Sequence, residues 1–300
     1  MKKLIYIFGF SLGLVANIIA TGALAQSKLQ VITRKVEKDM QYMPSETIKI
    51  EGEKASIKLH TWNSKDIKVI LRQVAKGTDK DMATKELEYH RYIMEKRKGT
   101  IYIKNYFAIP KGTQRVKSLL LSEYEIWLPA SAKLDVENSY GNVTASGLQN
   151  KTSIELKYGD LNLSDIAGDL EVKGYFGNFS GQAINARFNG SFNHTKINLD
   201  GISGIWDMRT TLGDVVINKI TDLKTIKISA SKADITVKVP PIEAINISLE
   251  ANYGEILVPE RYTAHFGRFT ESKKSLEYGR IGSSPSFQLS TSFGKIIITE

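Results

Sequence analysis

The chain has 300 residues with a formal net charge of +9, is 42% hydrophobic and contains no cysteine. The absence of cysteine excludes a disulfide framework, a thiolate metal site, a cysteine nucleophile and a lipid-modified N-terminal cysteine. A chain of this length and hydrophobic content can bury a large core without disulfides, so we expect a body with one continuous core.

Residues 1–25 have the pattern of a secretory signal peptide. Lys2 and Lys3 form a positive start, the run Leu4 to Ala20 is mostly apolar, and Ala23-Leu24-Ala25 offers a cleavage site. Cleavage there would make Gln26 the first residue of the mature protein. The alternative is that the apolar run stays uncut as a membrane anchor, since its length approaches that of a spanning helix.

No second apolar run of that length follows in the sequence. We therefore expect an exported protein that is periplasmic, on the outer-membrane surface or secreted. After signal cleavage we expect no stable membrane span.

Residues 26–44 are predicted to be a linker, and residues 45–129 an N-terminal β-rich part that caps the repeats of residues 130–300. The β-rich part shows apolar residues at every second position, which is typical of strands with one buried face. Its predicted elements are strands at Thr47 to Ile50, Ala55 to Leu59 and Ile67 to Leu71, a short helix near Asp79 to Glu88, a hairpin of Tyr89 to Glu95 and Thr100 to Phe107, and a strand at Leu121 to Leu128.

The positive charge is concentrated in one segment, Lys65 to Lys117, which holds 14 basic and 6 acidic residues. Such a segment suits an anionic partner such as lipopolysaccharide, a surface glycan or extracellular nucleic acid, and of these we expect a surface glycan or lipopolysaccharide. No nucleotide is expected. The candidate contacts are Lys96, Arg97 and Lys98 at the tip of the predicted hairpin. The alternative is an ordinary solvated face, because the charges are scattered.

The rest of the chain contains an internal repeat of an aromatic or aliphatic residue, Gly, Asn or Asp, and an apolar residue. Glycines recur at steps of 18, with Thr195 in one degenerate copy, and the spacing loosens after Gly213. The regular copies are Tyr140-Gly141-Asn142-Val143, Tyr158-Gly159-Asp160-Leu161, Phe176-Gly177-Asn178-Phe179 and Leu212-Gly213-Asp214-Val215.

Columns of residues 18 apart have similar chemistry, as stacked coils require. This predicts an all-β fold, a β-solenoid (parallel β-helix-like) with coils of about 18 residues and an N-terminal β-rich cap. A sandwich of hairpins is the alternative, because Gly-Asp is also a hairpin signal. The columns are Leu148, Ile166, Ile184, Ile202 and Ile220; Val143, Leu161, Phe179, Ile197 and Val215; and Val136, Ile154, Val172, Met208 and Ile226, the last interrupted by Gly190.

Two features of the coil corner follow from the residue types. Glycine would supply a positive φ, and Asn or Asp would hydrogen-bond the turned backbone. Tyr158 has the parity of Ile154 and Leu156, so we expect Tyr140, Tyr158 and Phe176 to form a buried aromatic stack. A glycan-stacking surface is the alternative.

Three stretches resemble the putative adhesin family of exported bacterial β-repeat proteins, related to the head GIN domain of putative autotransporter adhesins. They are the strand-Trp-strand unit from Ile57 through Trp62 to Val69, the strand end Tyr124-Glu125-Ile126-Trp127-Leu128-Pro129, and the run Glu137-Asn138-Ser139-Tyr140-Gly141-Asn142-Val143 with its successors. The resemblance covers roughly residues 46–300 and implies an exported β-solenoid with an adhesive or scaffolding role. It supplies no catalytic residues.

No catalytic, cofactor or metal site is expected. The four histidines form no close ligand pair, and the nucleophile-elbow and phosphate-loop motifs are missing. A glycan-cleaving enzyme could use Asp160, Asp214 and Asp234, but their column also holds Asn142, Asn178 and Lys196, which favours turn residues. We therefore expect a non-enzymatic adhesin or binding scaffold of the cell envelope. A structural or envelope-stress protein is the alternative.

Overall fold

The computed structural model describes residues 29–239, 245–280 and 284–300. These residues are mostly β-strand with two short helices, which confirms the all-β prediction. The predicted signal peptide with Gln26 and the Pro240-Pro241 connection lie outside the described residues. The elements are β1 Gln30–Gln41, β2 Thr47–Glu53, β3 Ala55–Trp62, β4 Asp66–Gly77, α1 Lys80–Leu87, β5 His90–Arg97, β6 Thr100–Phe107, β7 Leu119–Pro129, β8 Lys133–Ser139, β9 Val143–Ser146, β10 Thr152–Lys157, β11 Leu161–Thr211, β12 Val215–Ser231, β13 Ile235–Lys238, β14 Asn246–Asn252, β15 Glu255–Leu257, α2 Glu260–Thr263, β16 Phe266–Phe269, β17 Lys273–Tyr278, β18 Ser286–Ser292 and β19 Lys295–Thr299.

Parallel pairing between successive stretches of the chain builds the centre of the molecule. Leu134 in β8 pairs with Thr152 in β10, and Thr152 pairs with Leu170 in β11, so each partner lies one sequence repeat further along. Val143 of β9 and Leu161 of β11 keep the same offset. Because β11 pairs with β9 near its start, with β10 further on and with β12 at its end, its 51 residues follow successive turns of this parallel stack.

The pairing offset widens within the last part of β11. Ile202 still pairs with Ile220, whereas Ile205 pairs with Thr225 and Val215 with Ile235, which are offsets of 20. The register shifts that accommodate the extra residues lie between Leu199 and Ile205. Beyond this point the sequence repeat is therefore less regular than before it.

The core runs continuously through the stack. The residues of the three apolar columns all belong to one buried cluster, including Ile184 and Ile202, each 0% exposed. Gly190 interrupts the third column for a steric reason, because a Cβ there would lie 2.5 Å from the ring of Phe188 and 2.6 Å from that of Phe192. The two phenylalanine rings fill the space that an aliphatic residue fills in the neighbouring turns.

At the N-terminal end of the stack, the first turn in sequence is not the outermost layer. Strands β2 and β3 lie between β8 and β9 on one side and β6 and β7 on the other, in parallel with both. Antiparallel strands then cover the outermost layer: β5 pairs with β6, and β4 pairs with β7.

The C-terminal end has the same arrangement. Strands β18 and β19 lie between β12 and β13 on one side and β14 and β15 on the other. The antiparallel strands β17 and β16 close this end. The last strand of the chain is therefore covered on both edges.

The range 26–44 differs from its prediction as a linker, since β1 occupies most of it. This strand, Gln30–Gln41, pairs antiparallel with β4 along its whole length. Every second side chain of β1 except Lys38 is partly buried, among them Ile32 and Val36. The frequent charged residues between them hide this alternation in the sequence.

None of the helices among residues 29–239, 245–280 and 284–300 is long and apolar enough to cross a membrane.

Candidate functional site

A row of residues in the left-handed backbone conformation marks one corner of the stack. The N–H of Tyr140 donates to the carbonyl oxygen of Lys157, and the N–H of Tyr158 to that of Tyr175, both at 2.8 Å. Each row member thus contacts the residue that precedes the next member. We call this row the corner ladder. Its members have φ values between 48° and 59° and are, in spatial order, Lys54, Tyr140, Tyr158, Phe176, His194, Leu212, Lys232, Phe293 and Tyr253.

The repeat glycines serve close approach, not the positive φ that the sequence predicted for them. A Cβ on Gly159 would lie 2.3 Å from the carbonyl oxygen of Gly141, and one on Gly213 would lie 2.0 Å from that of Thr195. The residue before each glycine carries the left-handed conformation. Glycine is therefore needed because adjacent turns touch backbone to backbone at the corner.

The aromatic members of the corner ladder stack on one another at the surface. Ring centroids are 4.9 Å apart for Tyr140 and Tyr158, 5.0 Å for Tyr158 and Phe176, and 4.6 Å for Phe176 and His194. The three aromatic residues that were predicted to be buried are 44% to 58% exposed. That prediction was wrong because each of these aromatic residues has the left-handed conformation itself. The in-and-out alternation of the strand therefore ends at the residue before it.

The stacking limits what the corner ladder can bind. The planes of Tyr140 and Tyr158 differ by 4°, and those of Tyr158 and Phe176 by 8°. Neighbouring rings therefore cover the faces of Tyr158 and Phe176, leaving their edges to solvent. A sugar ring stacks on an aromatic face, so these two rings do not provide a glycan platform.

The turn carboxylates bind the backbone of the neighbouring turn. The Oδ1 atom of Asp160 accepts the N–H of Asn178 at 3.1 Å, that of Asp214 accepts the N–H of Asp234 at 3.0 Å, and that of Asp234 accepts the N–H of Lys295 at 2.7 Å. Each side chain therefore occupies the capping role that the sequence favoured over catalysis.

A charged cluster that sequence reasoning missed lies on the outer face of β2, β6 and β8. The Lys49 Nζ atom lies 3.0 Å from Glu137, 3.5 Å from Glu51 and 4.0 Å from Asp135. Hydrogen bonding to Glu137 raises the pKa of Lys49, while burial raises that of Asp135. The alternation of apolar and polar residues in the sequence shows that these side chains face outward. The sequence does not show that β2 and β8 are neighbours, which is what brings the side chains together. Lys49 and Lys104 face three carboxylates in this cluster, and no group of three His, Asp or Glu in the described chain could hold a metal ion.

The structure separates the three predicted contact residues at the β5–β6 hairpin tip. Lys96 contacts the buried carboxylate of Glu46 at 2.6 Å, Arg97 contacts Glu95 at 2.8 Å, and Lys98 is exposed. Burial acts to raise the pKa of Glu46, but the hydrogen bonds from Lys96 and from the N–H of Met43 outweigh it and lower the pKa. Lys96 therefore stabilises the fold, while Lys98 and the exposed Arg97, which is paired with Glu95, remain accessible as surface contacts.

The basic segment is partly neutralised by neighbouring strands. Five of its 14 basic side chains pair with a carboxylate in the described chain, and four of those carboxylates lie outside the segment. Examples are Lys68 with Glu37 and Lys104 with Glu51, each at 2.5 Å. The excess of positive charge counted in the sequence of this segment is thus larger than the excess on its surface.

These features define a class of protein: a repetitive all-β protein whose corner residues and turn carboxylates hold neighbouring turns together. The chain belongs to the family described as Toastrack DUF4097, whose model matches residues 42–298. Strand β1 lies before the matched residues. No curated protein matches the chain. Membership of the putative adhesin family and the relation to the GIN domain stay predictions.

Two crystal structures are similar over most of the chain at low identity. One is of a putative cell adhesion protein from Clostridium sporogenes, with 12% identity, 89% of this chain and 99% of that chain covered, and a TM-score of 0.27. The other is of a putative lipid binding protein from Parabacteroides distasonis, with 14% identity, 89% and 97% covered, and a TM-score of 0.40. Likeness at this level does not indicate a shared function.

Proposed function

We propose that this is an exported, non-enzymatic protein of the cell envelope, a β-solenoid with coils of about 18 residues that binds a repetitive envelope polymer as an adhesin or binding scaffold. The expected polymer is an anionic surface glycan or lipopolysaccharide. The observation that supports binding is a row of exposed, uncharged polar side chains beside the corner ladder. We call it the polar row, and its members are Thr144, Asn162, Ser180 and Asn198.

The polar row follows the repeat of the stack. Thr144 and Asn162 are register partners in β9 and β11, and the amide of Asn198 accepts a hydrogen bond of 2.7 Å from Asn218. Adjacent strands lie about 4.8 Å apart, so hydrogen-bonding groups recur at a fixed short interval along a shallow groove. A polymer with regular hydroxyl groups could satisfy several of them at once.

The proposal is tested with purified polymer and two surface variants. Replacing Asn162 and Asn198 with Ala should weaken binding, whereas Asn189→Ala, an exposed asparagine outside the polar row, should leave it unchanged. Replacing Arg97 and Lys98 with Ser should weaken binding and flatten its salt dependence, because screening strengthens as the Debye length falls below about 8 Å. Unchanged binding in both surface variants would contradict the proposal.

Lys96 is kept in the binding experiment because its loss should destabilise the protein. Lys96→Ser leaves the Glu46 carboxylate buried without its cation, so we expect a loss of about 1 to 3 kcal/mol in unfolding free energy. The exposed pair Arg97 and Lys98 should change stability by less than about 0.5 kcal/mol. Chemical denaturation of both variants measures the difference.

The same experiment separates a binder from a glycan-cleaving enzyme. A binder leaves the polymer length unchanged, which chromatography after incubation would show. Shortening of the polymer that is lost on Asp160→Asn or Asp214→Asn would instead establish an enzyme.

A further inference from the structure

An exposed apolar patch lies where β1, β4 and β7 meet at the N-terminal end of the stack. Val31 of β1 pairs with Lys76 of β4, and Lys76 pairs with Leu119 of β7, so the three side chains lie on one outward face. Leu29 precedes β1 with the same parity as Val31. Leu29, Val31 and Leu119 are 51% to 58% exposed. We call Leu29, Val31, Lys76 and Leu119 the cap patch.

A basic loop borders the cap patch. Residues 108–118 connect β6 to β7 and contain Lys111, Arg115 and Lys117 but no acidic residue. All three side chains are exposed, and none of them forms an ion pair within the described chain. Lys111 and Arg115 therefore keep their charge, unlike the hairpin tip, where two cations are paired.

The loop is held against the body by one buried carboxylate. Glu86 of α1 accepts the N–H of Lys117 at 2.9 Å and the N–H of Ser118 at 2.7 Å. Ser118 is buried between the exposed residues Lys117 and Leu119. The anchor thus places a cation next to the apolar part of the cap patch.

Aliphatic side chains beside unpaired cations fit a lipid surface better than a glycan. Leucine and valine enter the boundary between headgroups and acyl chains, while lysine and arginine bind anionic headgroups. The cap patch has neither an aromatic face on which a sugar could stack nor a row of neutral hydrogen-bonding groups like the polar row. The apolar run Leu4 to Ala20 ends nine positions before Leu29, so the sequence joins the cap patch to the segment that would enter the membrane during export.

We propose that the cap patch and the 108–118 loop dock on an anionic membrane surface. The stack then projects away from the membrane and presents the polar row to the envelope. This goes beyond the proposed function because it assigns a second surface and an orientation to the protein.

Vesicle binding tests the proposal with the chain beginning at Gln26, which contains every described residue. The probes are vesicles of phosphatidylcholine alone and vesicles with about 30% phosphatidylglycerol. We expect binding to the anionic vesicles, reduced roughly tenfold by Lys111→Ser with Arg115→Ser and by Val31→Ser with Leu119→Ser. The matched control is Ile205→Ser with Leu257→Ser, two exposed aliphatic residues elsewhere, which should bind like the unchanged chain.

Three results would overturn the proposal. The first is equal binding to neutral and anionic vesicles, and the second is an equal loss of binding in the patch and control variants. The third is loop-dependent binding to a soluble anionic polymer with none to vesicles, which would identify a polymer site. Circular dichroism of each variant shows whether it is folded. The variant with Asn162 and Asn198 replaced by Ala should bind vesicles like the unchanged chain, which separates this surface from the polar row.

Discussion

Gly159→Ala tests the contact between adjacent turns at the corner ladder. The new Cβ would lie 2.3 Å from the carbonyl oxygen of Gly141, well inside the 3.0 Å limit that real Cβ atoms respect. The clashing atom belongs to the backbone, so no side chain can rotate away. The turns of Gly141 and Gly159 must separate, which stretches the bonds from the N–H of Tyr140 to Lys157 and from the N–H of Val143 to Asp160.

The cost of that separation can be worked out from its parts. Overpacking costs about 1 to 3 kcal/mol, and two weakened hydrogen bonds add about 1 kcal/mol each, so we expect a loss of about 3 to 5 kcal/mol. Gly267→Ala is the matched control, because its Cβ would come no closer than 3.7 Å to the Ser275 hydroxyl oxygen. We expect the control to change stability by less than about 0.5 kcal/mol.

Chemical denaturation of the two variants measures both values under the same conditions. A Gly159→Ala variant that loses no more stability than Gly267→Ala would refute the close contact between turns. It would also refute the assignment of Gly141 and Gly159 to neighbouring layers.

Two further predictions concern the core and the N-terminal cap. Ile184→Ala should lower the unfolding free energy by about 2 to 5 kcal/mol, as truncation of a side chain with 0% exposure does; a loss below about 0.5 kcal/mol in a denaturation experiment would place Ile184 at the surface. His90 should make stability depend on pH, because burial, helped by Arg34, lowers its pKa to about 4. The unfolded chain binds a proton near pH 6.5 and the folded chain does not, so stability is full above that pH and falls by about 2 to 3 kcal/mol as the pH drops toward 4. His90→Gln should flatten this slope, and an unchanged slope would exclude His90 as its source.

The sequence predicted the core of the central turns because their chemistry is local and periodic. Ile166, Ile184 and Ile202 recur once per repeat and belong to one buried cluster, and Ile202 pairs with Ile220 at the same offset. The turn role of Asp160 and Asp214 followed for the same reason, since Asn or Asp fills that column in every copy from Tyr140 to Leu212 but the one with Lys196. Each copy of the repeat needs an apolar residue at the same position, so the column remains recognisable although one copy has Gly190 there.

The exposure of the corner ladder could not be obtained by counting parity. A strict alternation from Ile154 places Tyr158 inside, but one left-handed residue reverses the direction of the side chain. Aromatic residues rarely adopt that conformation, because Cβ crowds the backbone there. The stacked rings offset part of this strain, and their contact requires the neighbouring turns, which no single copy of the repeat reveals.

The ends of the stack depend on pairings between distant parts of the sequence. Strand β2 pairs with β6 and β8, which follow it only after several other elements, and nothing in its own sequence selects these partners. Strand β1 pairs with β4 through alternate residues masked by charge, which is why the sequence suggested a linker. Lys96 and Glu46 are a further case, since a cation from a distant part of the chain neutralises a buried carboxylate.

The first turn, β2 with β3, and the last turn, β18 with β19, each lie between two other layers, which affects how the ends of the stack can unfold. In an ordinary repeat stack each layer contacts only its neighbours in sequence, so an end layer can detach alone. Here β2 and β3 separate β6 and β7 from β8 and β9, and β18 and β19 separate β12 and β13 from β14 and β15. Neither the first nor the last turn can leave without opening two parallel interfaces. Strands β2 and β3 at one end and β18 and β19 at the other are therefore internal layers, while β6 with β7 and β14 with β15 form the outer parallel layers.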